Sequence, residues 1–138
     1  MIFESASSEI LLLGGRVLFG GVLAFMGFNH FGRTEQMAAL AESKGVSLPT
    51  LSVALSGLLL VGGGIGIAIG AFPVVAAALI TVFLAVTTPT MHDFWRAEGE
   101  ERRQELTHFL KNVVLLGAAL AFVAFGQESW GYAVGIGL

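Results

Sequence analysis

Cysteine is absent from this 138-residue chain, which excludes disulfides, thiolate metal sites and thiol catalysis together. Charge is scarce as well. Asp, Glu, Lys and Arg make up 12% of the residues, where a soluble domain carries about a quarter. The net charge is −3 and no basic tract occurs, so nucleic acid is not an expected partner. The three histidines form no HxxxH or HExxH pair, so a metal or haem would need ligands gathered from separate helices. The glycine clusters follow no strand-like run, which rejects a phosphate-binding loop.

What is abundant is apolar surface. Hydrophobic residues account for 55% of the chain and the mean hydropathy is +0.82. Four runs reach the length of about 20 mainly apolar residues that spans a bilayer: approximately residues 10–28, 51–70, 73–91 and 109–125. Too little polar surface remains to cover four such helices in water. The expected fold is therefore all-α: a polytopic four-helix transmembrane bundle forming one unit over residues 1–138. The leader holds Glu4 and Glu9 and no Lys or Arg, so the first run reads as a retained span and not a cleaved signal.

Punctuation between the runs is specific. Gly70, Ala71, Phe72 and Pro73 suit a C-terminal glycine, a tight turn and a proline in the next first turn, which makes spans two and three an antiparallel hairpin. Pro89 should kink or end span three. Residues 34–44 read as a short interfacial amphipathic helix between spans one and two, lying on the membrane surface or packed as a surface helix on the bundle. Thr34 is its expected N-cap, Gly45 lies just beyond its end, and Met37, Leu40 and Ala41 share its apolar face.

Arg33 and Lys44 follow span one, and Arg96, Arg102 and Arg103 follow span three, whereas the leader, the Gly70 turn and the tail have no Lys or Arg. The positive-inside rule then puts those two loops in the cytoplasm and both termini outside a cell membrane. In span two, Gly62, Gly66 and Gly70 stack at four-residue spacing, which fits close helix packing, a homo-oligomer seam or a flat ligand wall.

Polar residues at membrane depth carry the functional reading, because each must face protein, water or a partner. Arg16 lies about 9 Å inside span one at 1.5 Å per residue. It is expected to snorkel outward, to pair with Glu9, Glu128 or a bundle carbonyl, or to contact a polar ligand. Asn29 and His30 close span one, His92, Asp93 and Trp95 close span three, and His108, Lys111 and Asn112 open span four, all at one level. Three readings fit this group: interfacial anchoring, a pocket for a quinone or lipid headgroup with imidazoles exchanging protons, or a metal or haem site. Asp93 could orient a neighbouring histidine in either binding case.

The stretches Arg16-Val17-Leu18-Phe19-Gly20, Gly27-Phe28-Asn29-His30-Phe31 and Thr90-Met91-His92-Asp93-Phe94-Trp95 resemble the DoxX family of small four-helix membrane proteins. So does the run from His108-Phe109-Leu110-Lys111-Asn112 to Ala118, which matches the signature that opens the last helix of that family. Members often carry Lys near the end of the first helix, where this chain has Asn29 and His30, so a role for that lysine does not transfer. The resemblance implies a membrane bundle and association with redox or detoxification complexes, the family name deriving from a subunit of an archaeal thiosulfate:quinone oxidoreductase. Disulfide-forming relatives imply nothing for a cysteine-free chain.

The resulting expectation is a non-autonomous redox component with a quinone- or lipid-like molecule at the cytoplasmic mouth. His92, His108 and Lys111 would be its polar contacts, with Asn112 assisting and Trp95 stacking. A scaffold for another membrane protein and a small-solute permease are the competing classes.

Overall fold

The computed structural model describes residues 4–137. Helix α1 spans Ala6–Gly32 and starts at Ser5, whose hydroxyl accepts from the Ser8 amide as an N-cap does. Helix α2, Thr34–Ser43, follows after a single residue. Helix α3 runs Pro49–Ile69, α4 Pro73–Met91 and α5 Gly99–Phe125, with one 3-10 turn at Phe94–Arg96 between the last two. Four of these helices are long and apolar enough to cross a bilayer, so the chain is a multi-pass membrane protein.

The turns follow the local chemistry. Gly70 caps α3 with φ 70° and Phe72 precedes Pro73 with φ 46°; the left-handed values suit glycine and are strained for phenylalanine. Pro89 does not stop α4 where it stands. The helix runs two residues further to Met91, because a proline removes the bond to the preceding turn while leaving its own carbonyl usable. Gly45, just past α2, has φ 82°, the left-handed value expected there. Thr34 is not the N-cap of α2. With only Arg33 separating the helices, its hydroxyl donates back to the His30 and Phe31 carbonyls at the end of α1.

The four long helices alternate in direction. Gly64 faces Gly20 and Gly27 faces Gly57 across α1 and α3. Gly63 meets Ile80 and Gly66 meets Ala76 across α3 and α4. A Cβ on Gly27 would lie 2.9 Å from the Gly57 carbonyl oxygen, and one on Gly64 would lie 2.7 Å from the Ala24 nitrogen. Lipid tails are as apolar as leucine, so such close backbone packing, and not water exclusion, holds these helices together. Gly62, by contrast, would meet nothing within 4 Å and Gly70 lies against the tail at Ala133. The four-residue glycine ladder is therefore not a single packing face.

Helix α5 is the outlier. Ala119 is its one buried residue among the described residues, and Leu110, Val113, Val114 and Leu120 are exposed. It leans on α4, and reaches α1 through the rings of Phe19 and Phe122, 5.1 Å apart. Its helical start lies ten residues before the apolar run, so its first turns project beyond the membrane as a polar stalk.

The chain after α5 folds back over the end of the bundle. Val134 N–H donates to Ile69, Gly135 N–H to Gly70, and the Phe72 N–H to Ile136, so the tail is zipped to the α3–α4 turn.

Candidate functional site

Two ends of the bundle carry polar chemistry, separated by the 19 residues of α4, roughly 28 Å at 1.5 Å per residue. At the tail end, Arg16 is fully buried. Its two terminal nitrogens donate to the carbonyls of Gly131 at 3.0 Å and Tyr132 at 2.9 Å. The guanidinium also sits 5.2 Å over the ring of Trp130, whose indole N–H donates to the Phe125 carbonyl. Cation–π attraction strengthens when desolvated. Of the pairings expected from sequence, the carbonyl alternative is the one observed.

At the α2 end, the segment from His92 to Arg96 sits between α2 and the polar stalk of α5. Nδ1 of His92 donates to Oε2 of Glu105 at 3.0 Å, which fixes the ring. The His92 and His108 rings then stack, with centroids 5.2 Å apart and planes 22° from parallel. On the same two segments Phe94, Trp95 and Phe109 meet edge to face, at 5.2–6.2 Å between centroids, the favoured geometry for aromatic quadrupoles. Arg102 lies over the Phe94 ring.

Asp93 serves a different purpose from the one its sequence position suggested. It is buried and receives the Lys44 ammonium, with Arg96 at 4.0 Å, and so ties α2 to the end of α4. Glu105, and not Asp93, orients the histidine. Hydrogen bonding to Asp93 holds the Lys44 ammonium above its usual range. Together Lys44, Asp93, Arg96, Glu101 and Glu105 line an open depression of ≈370 Å³.

The remaining residues singled out in sequence are dispersed. His30 is buried on another side of the bundle, with Nδ1 donating to the Met26 carbonyl and its ring edge-on to Phe83. Asn29 and Lys111 are exposed and Asn112 is half-buried; among the described residues none of the three makes a side-chain hydrogen bond or ion pair. Arg16 stands at the far end. His92 and His108 are thus brought into contact, with Asp93 and Trp95 in the same turn but on other partners, while Arg16, Asn29, His30, Lys111 and Asn112 are not part of that group. No set of three or more His, Asp or Glu among the described residues is arranged to hold a metal ion. Lys44, Glu105 and Phe109 were missed from sequence. For Glu105 a signal existed, since it precedes His108 by three residues and shares its helix face.

The DoxX family model matches residues 11–93 of the chain, from the first turns of α1 to the Asp93 that anchors α2. No characterised protein and no solved structure matched in the corresponding comparisons.

Proposed function

Because this chain belongs to the DoxX family of membrane proteins, we propose that it is a non-autonomous subunit of a membrane redox system, holding the ring of a quinone-like molecule beside His92 and His108. One observation supports this most. Two stacked imidazoles, one from the residue that caps α4 and one from α5, stand on the same two chain segments as an aromatic trio at the end of the bundle, within reach of a molecule that arrives through lipid. A quinone needs a flat apolar contact for its ring and hydrogen-bonding groups for its carbonyl oxygens. Trp95 and Phe109 fit the first need and the imidazoles the second. With Nδ1 of His92 held by Glu105, Nε2 is the nitrogen left to take or give a proton, the exchange for which histidine is suited near neutral pH. A bound quinone would supply two-electron redox chemistry, with the electrons coming from the partner subunit.

The five loop cations, Arg33, Lys44, Arg96, Arg102 and Arg103, all stand at the α2 end. By the positive-inside rule this end is cytoplasmic and both termini are outside. Single cysteines introduced at Ser43 and Ser129, both exposed, test this in a chain with no cysteine of its own. A membrane-impermeant maleimide added to intact cells should label Ser129→Cys and not Ser43→Cys; the reverse pattern overturns the sidedness.

The ligand is tested by purifying the protein in mild detergent and analysing the organic extract by mass spectrometry. A quinone near one per chain, lost in His108→Ala, is expected. Its absence, with no binding of added quinone, rejects the reading.

The exposed apolar face of α5 supports a second reading, a scaffold that docks another membrane protein. Leu110→Trp and Val114→Trp would then disrupt a cross-linked partner, whereas His92→Ala would not.

A further inference from the structure

A second polar site lies apart from the histidine pair, in the notch between the end of α1 and helix α2. It measures ≈350 Å³ and is lined by Met26, Asn29, His30, Arg33, Gln36 and Met37, among others. The notch exists because α2 turns away to pack Ala38 and Ala41 on Val53 of α3, leaving its flank toward α1 uncovered.

Three features of the notch offer donors, and a fourth, the His30 ring, offers an acceptor. Arg33 contributes a full positive charge at its rim. The N-terminus of α2 has no side-chain cap, because the Thr34 hydroxyl is turned back onto α1. Its first-turn amides therefore offer donors and the positive end of the helix dipole. His30, more than nine-tenths buried, also lines the notch, and with Nδ1 committed to Met26 it has Nε2 left without a protein partner among the described residues. Asn29 and Gln36 add uncommitted amides.

The surface running down from the notch is apolar. Leu18, Val22 and Met26 are exposed and follow one another at four-residue spacing. Asn29 continues the same stripe of α1 within less than a quarter turn, and Arg33 follows as the residue that caps the helix. The apolar track on α1 thus leads to a cationic, donor-rich head at the end of the helix.

We infer that the α1–α2 notch binds the headgroup of an anionic phospholipid, with an acyl chain lying along Leu18, Val22 and Met26. The phosphate accepts from Arg33 and the α2 amides, and a headgroup hydroxyl donates to Nε2 of His30. Charge-assisted phosphate contacts from arginine are the strong ones in such sites, and anionic lipids favour basic residues at this depth. The inference does not depend on the quinone reading, since the two sites share no side chain.

Native mass spectrometry of the detergent-solubilised full chain tests it, with phosphatidylglycerol or phosphatidylcholine added. Phosphatidylglycerol should be retained preferentially. Arg33→Gln should weaken its retention about tenfold, the effect of losing one charged hydrogen bond, and Gln36→Glu should do the same by repulsion. Arg96→Gln, an exposed cation at the same end, should leave it unchanged. Equal retention of the two lipids, or equal loss in Arg33→Gln and Arg96→Gln, would overturn the site. Displacement by soluble glycerol phosphate as readily as by lipid would instead identify a free phosphate ester as the occupant and reject the lipid. Thermal unfolding of each variant separates loss of binding from loss of fold.

Discussion

Arg16 and Lys44 are the two buried or half-buried cations whose partners the structure defines, and they are neutralised in different ways. Arg16 has two carbonyls and an indole face; Lys44 has the Asp93 carboxylate. Replacing Arg16 with Gln strands both tail carbonyls, and the expected loss is roughly 2–4 kcal/mol, read as a lowered unfolding temperature. Proteolysis within residues 127–137 should rise in the same variant, because the guanidinium is what clasps that segment. For the Lys44–Asp93 pair, Asp93→Asn should cost about 1–2 kcal/mol at neutral pH. A double-mutant cycle with Lys44→Met should show the two losses to be coupled. The raised Lys44 value means that its contribution is complete below the ordinary lysine value of 10.5 and fades only as pH rises through the higher folded value. The difference between wild type and Lys44→Met should therefore stay flat from about pH 6 to 9. At this scale the sequence was informative about which residues matter and poor on who meets whom. Depth is readable from position along an apolar run, whereas the direction a side chain faces depends on helix rotation, which is why His30 and His92 share a level but face different neighbours.

Helix packing gives a sharper contrast. Gly20 and Gly27 on α1 meet Gly64 and Gly57 on α3, and the seven-residue spacing on each helix keeps them on facing stripes. Gly64→Leu should prevent stable insertion of the α1–α3 pair or lower stability by about 3 kcal/mol or more, since the neighbour is backbone and cannot yield. Gly62→Leu, two positions away and open, should stay within about 0.5 kcal/mol of wild type. Thermal melts in one detergent distinguish the two. The heptad pair was present in the sequence but hidden by the denser run Gly62, Gly63, Gly64, Gly66 and Gly70. Spans, the α3–α4 hairpin and the short helix α2 were legible because lipid demands uninterrupted apolar length and glycine and proline mark its ends. The tail was not, since Trp130 is held by a fold-back whose backbone bonds leave no periodicity in sequence.

For the molecule as a whole, the bundle has two unlike ends. One is sealed by the tail, with Trp130 packed onto Phe122 and Arg16. The other is open, edged by α2, the stalk of α5 and the His92–His108 pair. A ligand that enters from the membrane would be received at the open end. The direct measurement is binding of a short-chain quinone to the Trp130→Phe variant in lipid nanodiscs, with Trp95 as the remaining fluorophore. Saturable quenching that disappears in His108→Ala and persists in His30→Ala is the predicted result. Quenching that never saturates, or that survives His108→Ala unchanged, would contradict it.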